Sequence, residues 1–456
     1  MLNNCTYNNR KLSFQAGDYS DSLHAPNKFT VIVGRNGVGK SRLLREICMA
    51  YVDIEQIDDA RISYRGAQVS REKFDIDSHR APSSVIALST SPFDRFPLQK
   101  MFGPICTDYQ YLGLRGLSSR NLSLAFLSRT IGALITSVVD DPNHINTINE
   151  VLSHLGYYPF LEIRLVASLS PAKLEKALES NNFIEYLINN NNRVNAMSER
   201  WRYHMTKLSA YEVSRFEAAC RHWASVGVKP RLDLKITKDG LIDLQRGSSL
   251  DLNFLLLIQM GFFQLRDVGV IKNGLPNPIR ITDASSGEQC VVMSLLGIAS
   301  HIKNGTLICI DEPEICLHPA WQEQYVSLLM NVFSKFKGCH FIIATHSPQV
   351  IAQLKDDNCF VLDLENGVTT QAAEYNLRSA DYQLARLFKA PGFKNEYLSR
   401  TLIDALQALS GGVKYDQLKS HEVHQILHLK NVISPDDPIK RLMDICEKAL
   451  KASQEK

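Results

Sequence analysis

Long apolar runs are missing from this 456-residue chain. None approaches the ~18 consecutive apolar residues that suggest a membrane-spanning helix, so no membrane association is expected. The start, Met1 to Arg10, is polar and rich in asparagine. It has neither signal-peptide nor transit-peptide character, and a cytoplasmic location is expected. Paired cysteine is absent as well: ten cysteines are scattered singly without a C-x-x-C spacing, and Cys309 and Cys359 sit inside apolar runs. That pattern argues against disulfides or zinc and for buried thiols in a reducing compartment. Charge of one sign is scarce, and a net charge of +3 argues against a polybasic nucleic-acid binder. No heptad pattern persists, so no long coiled coil is expected, and there is no internal repeat. The remaining composition is that of a globular protein with two or three domains, or one domain with insertions.

What is present is a glycine loop. Gly34-Arg35-Asn36-Gly37-Val38-Gly39-Lys40-Ser41 reads G-x-x-x-x-G-K-S. It follows the apolar run Phe29 to Val33, a buried strand by pattern, and precedes Leu43 to Ile47, a helix by pattern. Strand, glycine loop and helix are the setting a P-loop needs. The glycines let backbone N–H groups face phosphates, and the helix start adds partial positive charge. Lys40 is expected to reach the β- and γ-phosphates of ATP, and the Ser41 hydroxyl to bind Mg²⁺. The nucleotide-binding stretch is taken to run from Gly34 to Arg42.

A second apolar run, Thr306 to Ile310, ends in Asp311-Glu312, the pattern of a Walker B strand. Asp311 is expected to hold Mg²⁺ and Glu312 to orient and deprotonate the attacking water. Just before it, Ser285-Ser286-Gly287-Glu288-Gln289 opens an apolar helix, Cys290 to Ile302; small residues at a helix start suit an anion. A third apolar run, Phe341 to Thr345, is followed by His346, well placed to sense a γ-phosphate. Trp321, Tyr325, Leu328, Leu329, Val332, Phe333 and Phe336 share one helical face, which reads as core packing ended by Gly338.

This order of motifs resembles the ATP-binding cassette (ABC) superfamily, within it the SMC-like and RecF-like branch. The residues that carry the resemblance are Gly34 to Ser41, the signature Ser286-Gly287-Glu288-Gln289, Asp311-Glu312 and His346. Glu314 to Pro319, E-x-x-L-H-P, matches the overcoming-lysogenization-defect group. Glu288 stands where transporters carry a second glycine, a departure usual in that group. No plain Q-loop follows the strand Val85 to Leu88; Ser89 to Phe96 takes its place, with Asp94 or Ser89 as candidates near the metal. The resemblance implies an α/β fold: an ABC-type P-loop ATPase head with a helical insertion and a C-terminal helical extension. It implies at least a homodimer, with Lys40 and His346 acting in cis and Ser286 and Gly287 capping the γ-phosphate in trans.

Within that class the chain most resembles the PtuA family, the ATPases of Septu anti-phage systems, on looser motifs. It rests on Ser91 to Pro97, Glu312 to Pro319, Ser379 to Leu384, Pro391-Gly392 and Asn395 to Leu398. It implies a separate HNH nuclease partner of the PtuB type. The chain itself shows neither an HNH pattern nor a Toprim arrangement after His346. A Toprim-partnered or retron-associated defence ATPase, a RecF/SMC-like repair ATPase and a transporter ATPase stay open as other classes.

Four parts are expected. Residues 1–101 form the first half of the ATPase domain, 102–230 a mainly helical insertion without strand character, 231–378 the second half, and 379–456 a helical region. Helices are expected over Leu122 to Val138, Ile145 to Leu155, Pro171 to Leu187 and Met197 to Val226, with Asn189 to Asn192 as a polar turn. Lys238-Asp239-Gly240 between alternating runs reads as a hairpin. Basic residues from Arg193 to Arg231, interleaved with Trp201, Tyr203 and Trp223, suit either DNA contact or a solvated face with inward aromatics. His421, His424 and His428 share a helical face without a convincing carboxylate partner for a metal. Leu384, Leu387, Phe388, Tyr397, Leu398, Leu402, Leu406 and Leu409 either dock a partner or pack back on the ATPase core.

Overall fold

The computed structural model describes residues 2–16, 25–52, 74–78, 80–98, 109–115, 122–190, 205–226, 231–238, 240–275, 277–354, 357–410 and 417–454. Among these, a seven-stranded sheet forms the centre. Its order is Val368–Gln371, Cys359–Asp363, Lys28–Val33, His340–Ala344, Leu307–Asp311, Val85–Ser89 and Tyr109–Gly113. All neighbours are parallel except the first pair. The inner strands are continuous apolar runs because both faces are covered.

Alternate residues divide between two cores. Phe29, Val31 and Val33 face the larger core, with Ile86, Leu88, Ile308, Ile310, Phe341 and Ile343. That side is covered by the helices Leu122–Asp140, Ser286–Ala299 and Pro319–Val332. Ile32, Ala87, Cys309, Ile342 and Leu362 face the other core, against Leu43, Leu44, Ile47 and Cys48 of the helix Lys40–Tyr51 and Leu2, Leu12 and Phe14 of the N-terminal strands. Those strands, Leu2–Tyr7 and Arg10–Ser13, join Asp75–Ser78 in an antiparallel sheet.

The register aligns the carboxyl ends. Asp311 lies beside Ala344 and Ser89, Ala344 beside Ile32, and Asp363 beside Val33. Ligands of parallel α/β sheets bind at that edge.

The span 102–230 is rich in helix but does not lack strands. Tyr109–Gly113 closes one side of the central sheet. Leu161–Ala167 lies inside a six-stranded antiparallel sheet, between Arg231–Thr237 and Phe263–Val270. Its burial alternates strictly, with Leu161, Ile163, Leu165 and Ala167 inside, so it is a one-face-buried strand. The hairpin is present, with Thr237 paired to Gly240. Pro171 to Leu187 is two helices, Pro171–Glu179 and Phe183–Asn190, and the second includes Asn189 and Asn190, which were expected in a turn. The last expected helix of the span is Ala210–Ser225, and Arg193, Arg200, Trp201, Arg202, Tyr203 and Lys229 lie outside the described residues.

The C-terminal leucines mostly pack on their own chain. Leu387 and Phe388 join the larger core, while Leu398, Leu402, Val423, Ile426, Ile439 and Met443 form a third core of their own. No described helix is long and apolar enough to cross a membrane.

Candidate functional site

The P-loop curls because three of its glycines take positive φ: 149° at Gly34, 83° at Gly37 and 107° at Gly39, conformations costly for side-chain-bearing residues. A Cβ on Gly39 would also stand 2.8 Å from the Tyr7 hydroxyl. Arg35, Asn36 and Gly37 form an exposed crest, and Arg42 is exposed on the first helical turn. The Arg35 N–H donates to Glu365 Oε1 at 3.0 Å, and its guanidinium lies 3.5 Å from the same oxygen. The helix Lys40–Tyr51 has no side-chain cap and no acid in its first turn. Its N-terminal amides are therefore free of side-chain competition for an anion.

Lys40 is 5% exposed. Its ammonium donates to Gly34 O at 2.8 Å and Arg35 O at 3.3 Å, and lies 3.3 Å from His346 Nδ1. Burial pulls its pKa down to about 8, against the upward pull of Glu312, Asp311, Glu314 and Glu365. Burial, and then Lys40, pulls His346 down to about 4, so the imidazole is neutral near pH 7. Because Lys40 is a donor, Nδ1 accepts and the proton belongs on Nε2. Nε2 faces Glu312 Oε1 at 3.6 Å.

Asp311 ends the central strand, 2% exposed, and accepts from the Ser41 hydroxyl at 3.1 Å. Burial raises its pKa to about 7, and Glu312, Asp94 and Glu314 push the same way. Among the described residues this carboxylate has no direct ion pair, the Lys40 ammonium acting on it only from a distance. A magnesium ion arriving with nucleotide phosphates fits it, with oxygen donors on Ser41 and Asp311 and the rest from phosphate and water. Among the described residues, no group of three or more His, Cys, Asp and Glu forms a metal cage. Glu312 has left-handed backbone, φ 49°, and its N–H donates to Ala344 O at 2.9 Å. A non-glycine residue there costs on the order of 1 kcal/mol. The turn aims the carboxylate past the strand end.

The segment in the Q-loop position braces these acids. Ser89 and Thr90 hydroxyls donate to the carbonyls of Asp311 and Glu312, at 3.2 and 3.3 Å. Asp94 is turned inward: it accepts from Tyr111 at 2.6 Å and from the Phe96 N–H at 3.0 Å. These bonds tie it to its own loop and to Tyr111.

The signature turn is built differently from the P-loop. Ser285 caps the helix Ser286–Ala299, and Glu288 completes a capping box and lies 3.3 Å from Lys272. A carboxylate already sits where the anion was expected. Ser286 is exposed; Gly287 is buried, and a Cβ on it would lie 3.2 Å from Cys316 O. Gln289 donates to Ala284 O at 2.8 Å. The structure thus gathers Gly34 to Ser41, Asp311, Glu312 and His346, while Glu288 and Gln289 bind their own turn and its neighbours and Ser286 stays exposed. Sequence reading missed Glu365 as the partner of Arg35; no local signal marks a residue that far along the chain.

Of the other candidates, Trp223 is buried and Arg221 binds Glu217 and Leu178 O. His421 lies 2.8 Å from the Gln425 side chain.

The strand order, P-loop, acid pair and strand-end histidine define a P-loop ATPase fold of the ABC type. The family described as "AAA domain, putative AbiEii toxin, Type IV TA system" matches residues 167–352, less than half of the chain. That stretch holds the signature, Asp311-Glu312 and His346. The chain is 32% identical over 108 residues to "Retron Vc95 probable ATPase" of Vibrio cholerae serotype O1 biovar El Tor, covering 21% of this chain and 20% of that protein. It is 30% identical over 107 residues to "Retron Ec83 probable ATPase" of Escherichia coli, covering 21% and 19%. The matched stretch is thus about a fifth of those relatives' length. Two solved structures of Smc head domains bound to parts of ScpA are similar at a TM-score of 0.28: one at 14% identity over 81% of this chain and 96% of that chain, the other, from Pyrococcus furiosus, at 12% over 81% and 95%. At that score the fold rests on the strand order and motifs themselves.

Proposed function

We propose that this chain binds and hydrolyses ATP as a subunit of a bacterial anti-phage defence complex. The carrying observation is the convergence of Lys40, Ser41, Asp311, Glu312 and His346 at the carboxyl edge of one sheet. Lys40 exchanges its two loop carbonyls for β- and γ-phosphate oxygens. Ser41 and Asp311 would hold a magnesium ion, which would supply neutralisation of charge on the phosphates. Glu312 takes the proton of the attacking water. Neutral His346 donates from Nε2 toward the space Glu312 faces. Exposed Ser286, with the Gly287 backbone, serves the ATP of a second copy.

The PtuA-like motifs support a homo-oligomer that assembles with a separate HNH nuclease of the PtuB type and controls it through nucleotide state. The matches to two retron ATPases favour a second reading, the ATPase of a retron defence system. The neighbouring reading frame separates them: an HNH nuclease in one case, a reverse transcriptase in the other. Purified alone, the chain is expected to bind Mg-ATP, to turn it over, and not to cut DNA. Robust DNA cleavage by the isolated chain would refute the division of labour. The third core makes deletion of 416–456 a poor test of docking, since it bares Leu398 and Leu402. Charge substitutions at the exposed Arg400 and Asp404 keep that core. Loss of copurification with the neighbouring nuclease, with ATP binding intact, would place the dock there.

A further inference from the structure

Glu314 belongs to the E-x-x-L-H-P run and has no part in the chemistry above. It sits in the short turn Pro313–Cys316, just past Glu312. Its Oε1 accepts the His346 backbone N–H at 2.6 Å. Its Oε2 is buried without a hydrogen-bond partner. Leaving such an oxygen unsatisfied is costly, and a cost retained beside a reaction centre calls for a reason. Burial raises the Glu314 pKa, against the hydrogen bond from the His346 N–H.

A second side chain joins the same segments. Gln322 donates from Nε2 to Leu317 O at 2.8 Å, and its Oε1 accepts from the Ser347 hydroxyl at 2.6 Å. Gly287 packs close behind the turn, where a Cβ would lie 3.2 Å from Cys316 O. His346 therefore hangs from a loop tied at its own amide and at Ser347. Its ring lies 3.3 Å from Lys40 Nζ and 3.6 Å from Glu312 Oε1. A slip of that loop would disturb both.

We infer that Glu314 is a positioning residue: its carboxyl clamps the His346 backbone to the Walker B turn and so fixes the imidazole between Lys40 and Glu312. The inference rests on the ATP-hydrolysis reading, and its test is chosen to separate the two. In the full chain, Glu314→Ala removes the acceptor and Glu314→Asp withdraws it while keeping the carboxyl group. Glu314→Gln keeps an acceptor at the same reach. Two readouts are taken: kcat and KM for ATP, and hydrogen exchange at the amides of residues 345–347. Glu314→Ala and Glu314→Asp are expected to lower kcat by about tenfold or more with KM within a few-fold, and to speed exchange at His346. Glu314→Gln is expected to restore most of both. Wild-type kcat and protection in the Asp or Ala variant would overturn the clamp. So would a Gln variant no better than Asp. If the wild-type chain does not turn over ATP, the hydrolysis reading falls, and exchange at His346 still decides the clamp. If Glu314→Ala does not fold, the contrast between the Asp and Gln variants decides it.

Discussion

At its amino end the strand Lys28–Val33 is anchored by a lysine and a histidine; at its carboxyl end it leads to another lysine and another histidine. Lys28 is fully buried and donates to Leu2 O at 2.8 Å, Gln15 Oε1 at 3.2 Å and Asn3 Oδ1 at 3.4 Å. His340 lies beside it, with Nε2 2.9 Å from the Thr30 hydroxyl. That hydroxyl gives its proton to Phe14 O, so His340 donates from Nε2 and leaves Nδ1 bare. These partners come from the N-terminal strands and from neighbouring strands, and they tie sheets together. Lys40 instead borrows carbonyls of its own loop and the ring of His346, with four carboxylates acting on it. Burial of a charged group alone does not mark a site. The mark is a buried charge whose present partners can be exchanged for a ligand beside an uncapped helix start.

The largest expected effect belongs to the carboxyl end. Glu312→Gln keeps the shape and loses the proton acceptor. Turnover should drop by ~10²-fold or more with ATP still bound, read by phosphate release and by nucleotide occupancy. Equal turnover would remove Glu312 as the base. Lys40→Ala comes next: ATP affinity should fall by an order of magnitude or more, with the urea midpoint unchanged. A folded variant with wild-type affinity would dissolve the contrast between the two lysines.

Lys28→Met should do the reverse. It strands three acceptors and should cost about 2–3 kcal/mol of stability by urea unfolding, with ATP affinity per folded molecule within about twofold. A large affinity loss there would extend the site along the whole strand. The smallest effect, taken over a single pH unit, is one of protonation. Burial holds His301 down to about 3 and His340 well below its ordinary value. Depressed folded-state values mean that the unfolded chain binds these protons first. The stability is present above the unfolded value near 6.5 and is lost as pH falls below it, toward 3 for His301. The slope should be on the order of 1.4 kcal/mol per pH unit for each histidine. His301→Gln should flatten it by one proton, and an unchanged slope would show that His301 is not buried neutral.

Much of the site was legible because its parts are local. A P-loop needs positive φ at fixed spacings, and only glycine supplies that cheaply, so Gly34, Gly37 and Gly39 announce the turn. Asp311-Glu312 and His346 follow apolar runs that could be placed as buried strands. Other elements were hidden by their surroundings. Leu161–Ala167 alternates with period two, but it lies between helices and its partners come from both sides of Asp251 in sequence. Tyr109–Gly113 has too few residues for a period to show. The serine-rich signature turn looked open to anions; the capping box that occupies it was already visible in Ser285 and Glu288 as a three-residue spacing.

By itself the sequence determined the local devices: the glycine loop, the acid pair at a strand end, the capped and uncapped helix starts. Those depend on backbone conformation and hydrogen bonds within a few residues. Only the tertiary structure decided which devices meet. Parallel pairing sets Asp311 against Ala344 and Ser89, and with that register Ser41 reaches Asp311, His346 reaches Lys40 and Glu365 reaches Arg35. A shift of one residue in any of these strands would turn its side chains to the opposite face and undo those contacts, and no short stretch of chain records that register.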